Sequence, residues 1–582
     1  MTATIIHSPY PDVTIPNISL PDFVFADAAR RADKPALIDG PSGRTITYGQ
    51  LVGGARRVAG GLAARGLQPG EVSAIYLPNL PEYAVAFYGV LLAGGTTTTI
   101  NPLYTVEELA TQLQDADASY LLTIPRFLDK AVAAAARSGV REVFVLGEAA
   151  GATPFAALLA AGHQPPPVAI DPYHDLATLP YSSGTTGLPK GVMLTHHNLI
   201  ANLCQFQPVV DLGEDDVVVA VLPFFHAYGQ AALMAATLWQ GGTLVTMPRF
   251  DLEQFLTVLQ DYRVTVAPVV PPIMLALAKH PLVDTFDLSA LRFIVSGAAP
   301  LGAELEEACG TRLGCVVGQG YGLTETSSAL TVHPPVEAGI RHGSAGQLLP
   351  NTEAKVVDPI TGAALGRDQD GELCFRGPQV MAGYLNRAQE TAQVVDPDRW
   401  LHTGDIGHID DDGYFWIVDR VKELIKYKGL QVAPAELEAV LLTHPGIADA
   451  AVVRVPDEEA GEVPKAFVVA TAELSAQEIM EYVAERVAPY KRVRQVELVD
   501  EIPKSLSGKI LRRVLMERDP QAAGSPGSSP CAMAVLLKPA PAGVMGGGGR
   551  AGGGPDGWSA ARRSGPTTVP GWTMAGQHET SG

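Results

Sequence analysis

Between residues 178 and 195 the chain reads TLPYSSGTTGLPKGVMLT: two strand-like segments, Thr178–Tyr181 and Gly191–Thr195, separated by a run of serine, threonine, glycine and one lysine. Gly184 and Gly187 let backbone N–H groups come close to an anion. Ser182, Ser183, Thr185 and Thr186 add hydroxyl donors, and Lys190 adds a positive charge. A phosphate loop that opens a helix requires Gly-Lys followed by Ser or Thr, whereas Lys190 here is followed by Gly191. The loop therefore uses the same physics in a strand-to-strand setting. A polar turn accounts for the glycines alone, but not for four hydroxyls and a lysine beside them.

The chain has 582 residues, too many for one core, so two or more domains are expected. From Asp22 to Leu146 helical and strand-like patterns alternate: Leu51–Arg65 and Tyr83–Ala93 carry helical spacing, and Val72–Leu77 is a strand candidate. Such alternation indicates α/β architecture. Pro165–Pro167 marks a stiff connection, after which the pattern resumes from Asp175 to Glu337. Beyond Pro350 short strand candidates follow one another at Glu353–Val357, Gly371–Arg376 and Tyr414–Val418, a small β-rich region closing the large unit. A second compact unit has helical Pro434–His444 and Ala476–Val487 with strands Ala448–Val455 and Ala466–Ala472. The expected fold class is mixed α/β (α+β). A large N-terminal domain spans 1–419, a small mobile C-terminal domain spans 420–518, and a tail spans 519–582. In Gly524–Gly582, 22 of 59 residues are Gly or Pro, a composition that cannot bury enough surface to order itself. Its abrupt start is that of an appended or frame-shifted reading, which intact-mass measurement of native protein would test.

The formal net charge of −20 argues against nucleic acid as a partner and favours solubility. Five cysteines without a CxxC pair point to neither a disulfide framework nor zinc, and fit a reducing cytoplasm. The N-terminus has no secretory signal pattern, no apolar run is long enough to span a bilayer, and the terminal Thr-Ser-Gly is neither a peroxisomal nor a prenylation signal.

Five further segments carry chemistry. SGAAPLG (Ser296–Gly302) and GQGYGLTET (Gly318–Thr326) are glycine-rich; Gly318, Gly320 and Gly322 allow close backbone approach to a flat ligand, and Tyr321 offers a stacking face. Glu325 is a candidate Mg²⁺ ligand. In WLHTGD (Trp400–Asp405) a carboxylate at a turn can accept two ribose hydroxyls. DRVKELIKYKG (Asp419–Gly429) crowds basic residues at the expected boundary and reads as a helical segment. PKSLSGKILRR (Pro503–Arg513) places Lys509 on a tip freed by Gly508.

Taken in this order over more than 300 residues, these motifs resemble the adenylate-forming superfamily: acyl- and aryl-CoA synthetases, adenylation domains and beetle luciferases. PFFHAYG (Pro223–Gly229), SGAAPLG and IKYKGLQVAPAELE (Ile425–Glu438) are closest to 4-coumarate–CoA ligase-like enzymes, and the resemblance covers about residues 15–518. It implies an acid–CoA ligase that makes an acyl-adenylate from ATP and then a thioester, with ATP, Mg²⁺ and CoA required. By this similarity Ser182, Ser183, Gly184, Thr185, Thr186 and Lys190 grip the β- and γ-phosphates. Gln319, Gly320, Tyr321, Gly322 and Thr324 hold adenine and α-phosphate, and Asp405 and Arg420 hold ribose. Lys509 bridges the substrate carboxylate and the α-phosphate. Lys426 and Gln431 serve the thioester step, and Lys428, Gly429 and Arg249 face CoA. His226 gates the acyl site, and the Asp419–Lys428 segment is the hinge about which the small domain swings. Ala227, Tyr228, Ala232, Gly297, Ala298, Ser328 and Ala329 line the acyl pocket. Plant enzymes of this kind carry a larger aliphatic residue at Ala227 and a Gly-Pro-Val stretch at Ser327–Ala329, so a wider, slightly more polar pocket is expected. Hydroxycinnamates, benzoate-like acids and medium- or long-chain fatty acids all stay open, as does a monomer or a homodimer. Three rivals remain: an adenylation module serving a carrier protein, an oxygenase on the same fold, and a non-catalytic nucleotide binder.

Overall fold

The computed structural model describes residues 5–518, apart from residues 161, 163, 166, 183–188, 429, 458 and 507. The glycine- and proline-rich tail, Ser183, Gly184, Thr185, Thr186 and Gly429 thus lie outside the described residues.

Two large sheets dominate. One has nine strands, with Pro35–Asp39, Thr243–Thr246, Val217–Ala220, Val266–Val269, Phe293–Ser296 and Val316–Tyr321 running parallel through its centre. The other has eight, with Leu176–Ser182, Thr96–Thr99, Val72–Ile75, Ala118–Thr123 and Glu142–Val145 in parallel. Strands covered on both faces read as unbroken apolar runs, and VVVA, VAPV and FIVS do so. Thr96–Thr99 is the polar exception, fully buried, and each of its four hydroxyls donates to a carbonyl: Leu176, Ala177, Leu179 and Phe225.

The helices form where the apolar spacing and the start signals coincide. Tyr48–Ala64 begins at a Thr47/Gln50 capping box, Pro81–Leu92 has proline in its first turn, and His196–Val210 begins at a Thr195/Asn198 box. Their buried faces, including Val58, Phe87 and Leu203, share one core with Val219 and Ile294 of the nine-stranded sheet and Ile75 and Val192 of the eight-stranded one. A third, antiparallel sheet orders Ile6–His7, Glu353–Val357, Gly371–Arg376, Leu401–Ile409 and Phe415–Arg420. A fourth, built from Leu430–Val432, Ile425–Tyr427, Gly461–Ala470, Ile447–Asp457 and Gln495–Leu498, has its own core around Ile425, Leu437, Val452 and Ile479.

The stretch expected to be a helix at Asp419–Lys428 is instead strand, turn and strand. Arg420 pairs with Asp405 as the last residue of Phe415–Arg420, residues 421–424 turn, and Ile425–Tyr427 begins the fourth sheet. Its alternation of buried Ile425, exposed Lys426 and half-buried Tyr427 has the two-residue period of a strand, which the charges conceal. No helix among the described residues is long and apolar enough to cross a membrane.

Candidate active site

The loop at residues 183–188 is spanned by an antiparallel pair. Lys190 lies opposite Ser182 and Gly191 opposite Tyr181, so the two ends of the loop emerge side by side at the end of the ladder. There the Ser182 hydroxyl donates to Glu325 Oε1 at 3.1 Å, and the Tyr384 hydroxyl donates to the same oxygen at 2.8 Å. The Tyr384 ring lies 4.8 Å beneath the Lys190 ammonium. Tyr384 is thus a junction between the loop lysine and the acidic residue. It comes from the two-residue strand Gly383–Tyr384, whose register against Val192 fixes its place.

Asp405 is 4% exposed at the end of its ladder with Arg420. Its Oδ2 accepts the Tyr321 hydroxyl at 2.6 Å, and its Oδ1 meets Arg420 Nε at 3.0 Å. Burial pushes the Asp405 carboxyl up, while Arg420, Tyr321 and Lys509 pull it back. The carboxylate in turn holds the Arg420 guanidinium above its ordinary range. A guanidinium does not give up its proton, so the positive charge facing the carboxylate is permanent. The Tyr321 ring packs against Phe375, with centroids 6.0 Å apart.

Beside this polar group an apolar cavity opens. His226, Ala227, Tyr228, Ala232, Gly297, Ala298, Ser328 and Ala329 line it, together with Gly320, Tyr321, Gly322 and Thr324. Phe206, Val210, Val218, Leu222, Val266 and Val332 also line it; they belong to ordinary helix and strand patterns and carry no motif. The segment Tyr228–Ala235 is a π-helix, a wide turn that recurs at functional sites. Three non-glycine residues around the cavity have left-handed backbone: Ala298 (φ 71°), Ser327 (φ 60°) and Ser328 (φ 139°). Such strain persists where neighbours hold it. Here Asn202 bonds both N–H and C=O of Ala329, and the Ser327 hydroxyl donates to the Gln379 carbonyl. Gly322 is required by contact, because a Cβ there would fall 1.6 Å from the Ser328 carbonyl oxygen.

Lys509 enters the same cavity from the C-terminal segment. It rides a closed loop in which Ser505 N–H donates to the Lys509 carbonyl and Leu511 N–H to the Pro503 carbonyl. Gly508, at φ 77°, presses this tip on the first lobe; a Cβ would come within 2.9 Å of Val270. Lys509 is exposed to solvent and also lines the cavity. Desolvation first, and then Arg420, hold its ammonium pKa down, while Asp405 and Glu325 oppose them. Burial, with Lys509 second, lowers His226 to about 3, so its imidazole is neutral. Just beyond the tip, Arg512 forms a two-pronged bond with Glu438 (2.7 and 2.8 Å) and reaches Glu423 at 3.2 Å, in the turn where the lobes join.

Other expected residues lie elsewhere. Gln319 is buried, with its amide engaged by Leu301 and Glu306, so it shapes the strand and does not line the cavity. Lys426 and Gln431 face each other across an exposed hairpin, Lys428 pairs with Glu459, and Arg249 is exposed; none of the four lines the cavity.

A sequence profile described as AMP-binding enzyme matches residues 24–385, and one described as AMP-binding enzyme C-terminal domain matches residues 436–509. Among curated proteins, 4-coumarate–CoA ligase 5 of Oryza sativa subsp. japonica is 46% identical over 534 residues, covering 90% of this chain and 98% of its own. The 4-coumarate–CoA ligase 1 of Petroselinum crispum is 45% identical over 527 residues, covering 88% and 96%. Among solved structures, the anthranilate CoA ligase AuaEII in complex with anthranoyl-AMP superposes with a TM-score of 0.81 at 27% identity, covering 87% of this chain and 98% of that one.

Proposed function

The chain belongs to the AMP-binding enzyme family, and from that premise we propose that it is an ATP-dependent acid–CoA ligase acting on a hydroxycinnamate-like aryl acid. The observation that carries this reading is the position of Lys509, which lines the apolar cavity together with Tyr321, whose hydroxyl is bonded to Asp405 and so adjoins the Asp405–Arg420 pair. An aryl acid seated in the cavity brings its carboxylate to that ammonium. One carboxylate oxygen then attacks the α-phosphorus of ATP, the bond to the β-phosphate oxygen breaks, and pyrophosphate leaves. Two anions must approach, and a cation held at the cavity offsets their repulsion as charge grows on phosphorus. Lys190 and the neighbouring hydroxyls hold the leaving pyrophosphate, and Asp405 accepts the ribose hydroxyls beside Arg420.

Glu325 fits an Mg²⁺ that neutralises phosphate charge. It is a half-buried carboxylate with Oε1 held by Ser182 and Tyr384, and such an ion needs only one or two carboxylates beside phosphate oxygens and water. In the second step CoA sulfur attacks the acyl carbon and AMP leaves. The small lobe, residues 420–518, turns about residues 421–424 so that the exposed Lys426–Gln431 hairpin replaces Lys509, with Lys428 and Arg249 meeting CoA. His226, neutral in its half-buried place, alternates between covering the cavity and admitting the thioester chain. The test is pyrophosphate release across cinnamates, benzoates and fatty acids, with mass-spectrometric detection of the CoA thioester. Hydroxycinnamates are expected to give the highest kcat/KM; release with none of these acids would refute the reading.

A further inference from the structure

On the outer side of the sheet that carries Asp405, three side chains of different chemistry converge. Glu372 and Cys374 are two apart on Gly371–Arg376 and so share one face, and Cys374 lies directly opposite His402 on Leu401–Ile409. A register shift between Glu372 and Cys374 crowds the three together. Cys374 Sγ lies 3.4 Å from His402 Nδ1, that nitrogen lies 3.0 Å from Glu372 Oε2, and all three donor atoms fall within 4.8 Å of one another. A tetrahedral ion with a metal–sulfur bond of about 2.3 Å and metal–nitrogen and metal–oxygen bonds of about 2.0 Å separates its ligand atoms by about 3.3–3.6 Å, close to this spacing. On the far side of the ring, Asp396 Oδ2 lies 3.9 Å from His402 Nε2, within ion-pair distance. Lys355 is the nearby opposing charge, 4.0 Å from Asp396 and over the Trp400 ring.

We propose that Glu372, Cys374 and His402 form a binding site for a thiophilic divalent cation, Zn²⁺ foremost, distinct from the nucleotide site. A sulfur, nitrogen and oxygen donor set selects zinc-like ions over the all-oxygen preference of Mg²⁺. Binding replaces the thiol proton, which leaves to solvent, by the metal bond; the fourth position is open on the side of the half-buried His402 and Glu372. Glu372 Oε1 also accepts the Gly404 N–H at 3.0 Å, one residue before Asp405, so the ion clamps the turn that presents the ribose carboxylate.

The test uses Co²⁺ as a spectroscopic probe on the full-length protein. A thiolate-to-cobalt charge-transfer band and tetrahedral visible bands should saturate at one equivalent and vanish on adding Zn²⁺. The charge-transfer band should be lost in Cys374→Ser, with folding checked by circular dichroism. Glu372→Gln, which keeps side-chain shape, should weaken Co²⁺ binding by about tenfold or more. A wild-type protein with no charge-transfer band, a band that persists in Cys374→Ser, or unchanged affinity in Glu372→Gln would overturn the proposal.

Discussion

Replacing Lys509 with alanine separates chemistry from folding. At about 4 Å and an effective dielectric near 20, one ammonium acting on one unit of developing charge contributes about 4 kcal/mol. The ammonium is already partly desolvated in the free protein, its pKa held down by burial, so some of that interaction is offset before substrate arrives. Removal of a comparable electrostatic donor lowers rates by about 10²–10³, or roughly 2.7–4 kcal/mol, and that is the fall expected for adenylation. Folding should not suffer, because Asp405 keeps Arg420 at 3.0 Å and Tyr321 at 2.6 Å, and the neighbouring Arg512–Glu438 bond stays intact. The assay measures each half-reaction alone: pyrophosphate release from acid and ATP, and CoA thioester formation from a synthetic acyl-adenylate. The first should collapse while the second and the melting temperature stay at wild-type values. An adenylation loss of less than about tenfold, or an equal loss in both half-reactions, would refute the assigned role.

Tyr384→Phe keeps the ring under Lys190 but removes the hydroxyl on Glu325; loss of one hydrogen bond to a charged group predicts a KM for MgATP raised by about 1.5–3 kcal/mol equivalent at most, with kcat little changed, in steady-state kinetics. Ala232→Leu narrows the cavity and should shift kcat/KM from hydroxycinnamates toward smaller acids by about 10–200-fold in a competition assay; an unchanged ratio would place the acid elsewhere. His196 is 2% exposed, accepts the Leu20 N–H at 3.0 Å, and is lowered by burial to about 4 from 6.5. Between pH 4 and 6.5 the unfolded chain binds the extra proton, so stability from this group is full above pH 6.5 and falls by about 3 kcal/mol as pH drops to 4. Urea unfolding of wild type and His196→Asn across that range should differ in slope by about one proton.

What the chain revealed in advance was what lies close in sequence. The motifs at 178–195, at 296–302 and 318–326, and around Lys509 are each read within about a dozen residues; the strands flanking 183–188 form where expected, and residues of the other motifs line one cavity. Hidden features depend on partners far apart: Ser182 meets Glu325 across 143 positions and Tyr321 meets Asp405 across 84. Tyr384 had no local signal, since a two-residue strand has no period to read. Gln319 sits within a ligand-like motif, yet its amide is engaged by its own fold. The run at 419–428 misled because Lys and Glu at near-helical spacing masked the alternation of Ile425 and Tyr427.

The π-helix at Tyr228–Ala235 bears on how such a pocket changes over generations. Its bonds close over five residues where an α-helix closes over four, so deleting a single residue there would let the segment wind as an ordinary helix. The wide turn has already absorbed the extra residue, so side chains beyond such a deletion would keep roughly their present direction while the turn itself closes up. Tyr228 and Ala232 would stay on one face, but the widened backbone between them would draw in. The width of the cavity on this scaffold can therefore change by loss or gain of one codon, a route that libraries of point substitutions never sample.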